Sequence, residues 1–185
     1  MIAVSLIFAV LIAVFDQIIK FWILDNLALG QTKDFIIIEG EKVLGLTLHF
    51  NDGAVFGSLS GMRILLIILP IVIIAVCLWV MFSKKITKAF PLILMGAIIG
   101  GGIGNLIDRI FRGGKVVDYL DVQLFDFAIF NFADCFITVG CILLAVYLLF
   151  FDKEIFADDK KEIDPADEIS VSSVSVIPVK DDSDE

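Results

Sequence analysis

Residues 90–111 read FPLILMGAIIGGGIGNLIDRIF, an apolar run with a glycine cluster in its middle and Asn105, Asp108 and Arg109 near its end. A helix needs roughly 20 residues to cross a hydrocarbon core of about 30 Å, so this run is long enough to span a membrane. The three polar residues share one helix face, and the glycines permit close packing of a second helix. The run therefore predicts a spanning helix with a polar pocket at one membrane edge, although interhelical hydrogen bonding explains Asn105 and Asp108 equally well.

Three further apolar runs, at about 2–24, 63–82 and 133–151, have a similar length. The first contains Asp16 and Lys20 and lacks a small-residue cleavage pattern, which favours a retained helix over a cleaved signal peptide. The composition agrees, because 59% hydrophobic residues and a mean hydropathy of +0.98 exceed what soluble domains of this size carry. The sequence predicts a mainly α-helical membrane protein with four transmembrane helices.

Charge separates the chain into two parts. Of the formal net charge of -9, residues 152–185 contribute -8 through twelve acids and four lysines. Such a segment has too little contiguous apolar surface to fold alone. We therefore expect a membrane domain over 1–151 and an acidic, disordered cytoplasmic tail over 152–185.

The loop between the second and third runs carries Lys84, Lys85 and Lys88, which places it in the cytoplasm by the positive-inside rule. Both termini then lie in the cytoplasm, and residues 25–62 and 112–132 lie outside. Within the first of these outer segments, partial alternation around Glu39-Gly40-Glu41 predicts a small hairpin or sheet. We expect it to form a β-rich extracytoplasmic cap over a site that faces outward.

The candidate catalytic groups are carboxylates. His49 is the only histidine, and the cysteines lie inside apolar runs without metal-ligand spacing, so we expect no metal and no cofactor. Asp118 follows one apolar helix and Asp134 opens the next, so both acids must reach the same membrane face. That placement suits a two-aspartate hydrolase. From the local sequence alone, helix capping by Asn131 and Asp134 for stability is the simpler explanation of the second position.

Asp16 and Lys20 stand four residues apart on the first helix and can form an ion pair there. A structural pair, with the Lys20 ammonium snorkelling towards the membrane surface, is the simplest interpretation. A proton- or ion-conducting protein is a competing hypothesis for intramembrane acids, but Asp118 and Asp134 gather at one face and form no ladder across the core. A structural assembly factor is a third possibility.

Five polar motifs occur in a characteristic order, and together they resemble lipoprotein signal peptidase, also called signal peptidase II. The resemblance covers about residues 5–150, and a structural assembly factor would leave this conjunction unexplained. The motifs are Asp16-Gln17-x-x-Lys20, Asn51-x-Gly53-x-x-Phe56-Gly57, Gly104-Asn105-x-x-Asp108-Arg109, Val117-Asp118-Tyr119 and Phe130-Asn131-x-Ala133-Asp134.

The resemblance implies an aspartic endopeptidase of the bacterial cytoplasmic (inner) membrane that needs neither metal nor cofactor. It implies cleavage of prolipoproteins just before a diacylglyceryl-modified cysteine, with prolipoproteins and membrane lipid as partners, no nucleic acid and a monomeric state. Tyr119 stands where the family more often has Phe. The implied catalytic pair is Asp118 and Asp134, the implied substrate-binding residues are Asn51, Asn105, Arg109 and Asn131, and the implied structural residues are Asp16, Lys20 and Asp108.

Overall fold

The computed structural model describes residues 1–53 and 62–151. Within them it contains four helices and three strands, and each helix ends within two residues of its predicted limits. All four helices are long and apolar enough to cross a membrane, which confirms the predicted fold class. The elements in chain order are α1 (Ile2–Asn26), β1 (Thr32–Ile38), β2 (Glu41–Asn51), α2 (Arg63–Phe82), α3 (Ala89–Phe111), β3 (Val116–Val122) and α4 (Phe132–Phe150).

Two of the sequence-based predictions fall outside the described residues. The first is the second half of the turn motif that begins at Asn51, from Ala54 to Gly57, together with the end of the predicted cap. The second is the acidic tail over 152–185.

Helix α3 lies at the centre of the bundle and packs against α1, α2 and α4. Its glycines make this possible, since a Cβ added at Gly96 would lie 2.5 Å from the Ser5 carbonyl oxygen of α1. On the neighbouring face, a Cβ at Gly101 would lie 2.5 Å from the Ala133 carbonyl oxygen of α4. Both distances are far below an ordinary carbon–oxygen contact of about 3.3 Å, so only glycine allows these helix backbones to approach so closely.

The outward faces of the other three helices remain apolar and exposed. This distribution is the reverse of a soluble bundle and matches a protein whose outer surface contacts lipid tails. Prominent exposed side chains include Ile7 and Phe21 on α1, Ile64 and Trp79 on α2, and Ile142 and Leu149 on α4.

The three strands form one antiparallel sheet in the order β1-β2-β3. Strands β1 and β2 form the predicted hairpin, whose turn has positive φ at Glu39 (51°) and Gly40 (88°), as the tightest hairpin turns require. Strand β3 was not predicted; it comes from the second outer segment and pairs with β2, placing Asp118 opposite His49. The sheet packs its buried side chains against the end of α1 around Ile23.

Candidate active site

A cavity of about 560 Å³ lies among α2, α3 and α4, and both predicted catalytic acids line it. Its deeper wall is apolar, with Ile73, Ile98 and Ile137 contributed by three different helices. The polar residues that line the cavity include Asp118 of β3 and Asp134 of α4. The structure therefore brings these two acids into a single site at one end of the helix bundle.

Asp118 reaches the cavity because β3 pairs with β2. This pairing places Asn51, at the end of β2, beside the carboxylate: Asn51 Nδ2 donates to Asp118 Oδ2 at 2.8 Å, and Asn131 Nδ2 donates to Oδ1 at 2.6 Å. Asp118 is only 1% exposed. Burial and the negative charge of Asp134 raise the pKa of Asp118 to about 7, against the opposing effect of the two amide donors and Lys20.

Asp134 occupies the first turn of α4, where it completes a capping box with Asn131. The Asn131 side chain accepts from the Asp134 backbone N–H at 3.0 Å, and the Asn131 backbone N–H donates to Asp134 Oδ2 at 3.0 Å. Asn105 Nδ2 of α3 donates to the other carboxylate oxygen, Oδ1, at 2.7 Å. Helix capping, which the sequence offered as an alternative explanation, is thus present, and it holds an acid that faces the cavity.

Two asparagines connect the acids. Asn131 Nδ2 donates both to Asp118 and, at 3.0 Å, to Asn105 Oδ1, while Asn105 contacts Asp134. The two carboxylates therefore share a continuous chain of amide hydrogen bonds. Asn51 of β2 also bonds Asp118, so this network joins predicted site residues from β2, α3, β3 and α4.

Lys20 lies behind the acids in a buried cluster of charges. Its ammonium contacts Asp16 Oδ2 at 2.8 Å, Asp108 Oδ2 at 2.9 Å and Asn105 Oδ1 at 2.9 Å. The predicted ion pair with Asp16 is present, but the prediction that Lys20 snorkels towards the surface is wrong. The side chain is fully buried, because carboxylates from two helices surround its ammonium inside the bundle.

Arg109 brings a positive charge to the cavity wall. Its Nη2 donates to the Gly53 carbonyl oxygen at 3.2 Å, and its buried Nε has no hydrogen-bond partner in the part of the chain that the structure describes. An unsatisfied guanidinium donor beside two acids is costly to bury and offers a bond to an incoming carbonyl group.

The sequence analysis missed the contacts of three residues around the site. Gln17, a polar residue in an apolar run, bonds Asp16, Asp108 and the Gly104 carbonyl oxygen. Arg112, the residue that directly follows α3, pairs with Asp108. Tyr119 accepts the Phe132 backbone N–H at 3.2 Å on its hydroxyl and so ties β3 to the start of α4. The available signals were the positions of Gln17 in the first motif and of Tyr119 in the fourth.

Metal-ligating side chains do not cluster among the described residues. Over 1–53 and 62–151, no group of three or more His, Cys, Asp or Glu side chains is arranged to hold a metal ion. The three cysteines are all free, with Cys77 buried in the bundle and Cys135 at the cavity wall.

The sequence matches the family model described as signal peptidase (SPase) II over residues 8–150. The chain belongs to the signal peptidase II family. Signal peptidase II removes signal peptides from prolipoproteins, so this chain is a peptidase with that function. The resemblance inferred from the five motifs is thereby confirmed.

Curated relatives and solved structures agree with this membership in signal peptidase II. A lipoprotein signal peptidase of Lactococcus lactis subsp. lactis (strain IL1403) is 41% identical over 150 residues, covering 81% of this chain and 95% of the relative. One from Streptococcus pyogenes serotype M2 (strain MGAS10270) is 35% identical, covering 75% and 88%. A solved bacterial membrane enzyme structure at 2.3 Å resolution has a TM-score of 0.72 at 32% identity, covering 87% of this chain and 94% of that one.

Proposed function

We propose that the chain is an aspartic endopeptidase in which Asp118 and Asp134 together cleave prolipoproteins. The observation that carries the proposal is the placement of both acids in one cavity, joined by Asn105 and Asn131. Two neighbouring carboxylates in a partly dry site do not both ionise easily, so the pair holds one proton and supplies one acid and one base. Neither a metal nor a cofactor is needed for that chemistry.

We assign the proton to Asp118 and the negative charge to Asp134. Asp118 has a pKa of about 7. Asp134 accepts a backbone N–H in the first turn of α4, where a helix dipole favours an anion, whereas both donors to Asp118 are side-chain amides. Asp134 takes a proton from water as the water attacks the scissile carbonyl, and Asp118 protonates the carbonyl oxygen. On collapse the proton on Asp134 passes to the leaving amine, and a hydroxyl of the diol intermediate returns a proton to Asp118.

The substrate class follows from the cavity and the family together. We propose that the peptide bond just before a diacylglyceryl-modified cysteine lies at the acids, while the acyl chains occupy the apolar wall formed by residues such as Ile73 and Ile137. Membrane lipid is thus the second partner, and nucleic acid has no role. Arg109, whose Nε has no hydrogen-bond partner within residues 1–53 and 62–151, and Asn51 complete the substrate-binding set with Asn105 and Asn131.

The remaining polar residues of the motifs hold the helices together. Asp16, Lys20 and Asp108 are fully buried, and Lys20 pairs with Asp16 within α1 and with Asp108 across to α3. Asp108 Oδ2 also accepts the Val117 backbone N–H at 3.1 Å, which anchors the strand that carries Asp118. This cluster supports the site from the side remote from the cavity.

We further propose a monomer in the bacterial cytoplasmic (inner) membrane, with a membrane domain over 1–151 and a cytoplasmic tail over 152–185. The lysines between α2 and α3 support a cytoplasmic location for that loop and for both termini. Asp118 follows the C-terminal end of α3 and Asp134 lies at the N-terminal end of α4, whereas the lysine loop precedes the N-terminal end of α3. This arrangement supports an active site on the extracytoplasmic side.

The test is cleavage of a synthetic diacylglyceryl-modified prolipoprotein peptide by the purified chain in detergent, with a chelator present. Wild type is expected to cut before the modified cysteine, and Asp118→Asn and Asp134→Asn are each expected to lose at least about a thousandfold in kcat. Substantial turnover by either folded variant would exclude the two-aspartate mechanism, and inhibition of wild type by the chelator would exclude metal independence.

A further inference from the structure

Besides its two ion pairs, Lys20 makes a third contact, to the Asn105 side chain. The ammonium has three N–H groups, and all three are used: two meet the carboxylates of Asp16 and Asp108, and the third meets the neutral oxygen of Asn105. Two carboxylates already exceed the charge of one ammonium. The third bond therefore connects the buried charge cluster to a residue of the active site.

That bond decides how the Asn105 amide is oriented. An ammonium can only donate, so the Asn105 atom that faces Lys20 must be the oxygen, which also accepts from Asn131. The Asn105 NH2 group then points at Asp134 Oδ1, at 2.7 Å. In the flipped orientation, the NH2 group would face two donors and the oxygen would face a carboxylate. All three hydrogen bonds of this amide would be lost.

We propose that Lys20 is a positioning residue for peptide cleavage, because it fixes the Asn105 amide in the one orientation that donates a hydrogen bond to the Asp134 carboxylate. The proposal rests on the two-aspartate mechanism above. It also extends to Asp118, since Asn131 donates to both Asn105 Oδ1 and Asp118 Oδ1 and is held by the same amide oxygen. The lysine acts through Asn105 and touches neither acid.

A double-mutant cycle on kcat tests this inference. Lys20→Met and Asn105→Ala are made singly and together in the full chain, and kcat and KM are measured with the diacylglyceryl peptide. Each single change is expected to lower kcat at least about tenfold, because the orientation of Asp134 serves the chemical step. Lys20→Met is expected to leave KM nearly unchanged, whereas Asn105→Ala also removes a side chain of the proposed substrate-binding set and is free to raise KM. The double variant is expected to match Asn105→Ala within about threefold when kcat is compared at the pH optimum of each variant. The Lys20 charge also lowers the pKa of Asp118 and so shifts the pH profile, but the hydrogen bond to Asn105 is the contact through which Lys20 orients the Asp134 carboxylate.

A purely structural role predicts a different result. Loosened helix packing would act independently of Asn105, so the two losses in kcat would multiply, and this result would overturn the proposal. A fully active Asn105→Ala variant would also overturn it. Retained cleavage in Asp118→Asn or Asp134→Asn would instead show failure of the underlying mechanism, so the two failures are distinguishable.

Lys20→Met leaves two buried carboxylates with less positive charge, so the cycle is repeated in an Asp16→Asn chain. That change removes one negative charge and leaves Asp108 with Arg112 as its partner. It also leaves an amide oxygen to accept the Ala133 N–H that Asp16 Oδ1 now accepts at 3.2 Å. Unfolding temperatures of all variants separate loss of fold from loss of positioning, and the same non-additivity in kcat is expected in this background.

Discussion

Gly101→Ala tests how tightly α3 positions the start of α4. The new Cβ would lie 2.5 Å from the Ala133 carbonyl oxygen and 2.8 Å from Ile137 Cγ1. An ordinary carbon–oxygen contact is about 3.3 Å, so the two backbones must separate by about 0.8 Å. Ala133 directly precedes Asp134, and the same displacement stretches the Asn105–Asp134 hydrogen bond from 2.7 Å to about 3.5 Å, beyond useful range.

The expected result is a loss of about a hundredfold in kcat, as is typical when a catalytic group moves by about 1 Å. Overpacking is expected to destabilise the fold by about 1–3 kcal/mol, partly offset by about 0.5–1 kcal/mol from replacing a helical glycine. Peptide cleavage and thermal unfolding in detergent measure the two effects.

The neighbouring glycine supplies a matched control. At Gly102 the nearest atoms to an added Cβ belong to the flexible Ile74 side chain, at 3.3 and 3.4 Å, so the helix backbones stay where they are. Because Gly102 lines the cavity, Gly102→Ala is free to alter KM, but kcat should stay within about threefold of wild type. A Gly101→Ala enzyme with wild-type kcat, or equal losses in both variants, would refute the reasoning.

Two further predictions concern β3. In the proposed mechanism cleavage requires the protonated form of Asp118, whose pKa is about 7, so kcat/KM should fall as the pH rises through about 7. A profile flat from pH 6 to 9 would contradict the assignment of the acid. Tyr119→Phe removes the acceptor of the Phe132 N–H and should lower the free energy of unfolding by about 1 kcal/mol while kcat stays within a few-fold of wild type. Chemical denaturation measures the free energy of unfolding of Tyr119→Phe, and an unchanged value would show that the Tyr119 hydroxyl contributes nothing to stability.

The helices were predictable from sequence because their signal is local. The length and apolar composition of residues 63–82 predict a spanning helix without any knowledge of the helices that pack against it, and the structure places α2 over the same residues. The β1–β2 hairpin was also local, since its turn needs only Glu39 and Gly40. Strand β3 lacked such a signal, because it pairs with β2, which lies far away in sequence. The register between two distant strands cannot be inferred from the sequence of either strand alone.

For the candidate site as well, local features were predictable from sequence and contacts between distant residues were not. Asp118 and Asp134 were identified because acids at the ends of apolar runs are unusual, and the motif order singled out the asparagines. The position of Lys20 was mispredicted because its environment depends on Asp108, which approaches from another helix. Only the assembled bundle shows that Asn105 lies between the lysine and Asp134.

The capping box at the start of α4 has both a structural and a functional role. The bonds between Asn131 and Asp134 begin the helix, and they also aim the carboxylate into the cavity. Fraying of a single helical turn would therefore silence the enzyme without unfolding it. An inhibitor that binds these two residues would be difficult to evade by mutation, since a substitution at either residue also disrupts the first turn of the helix that carries the proposed catalytic base.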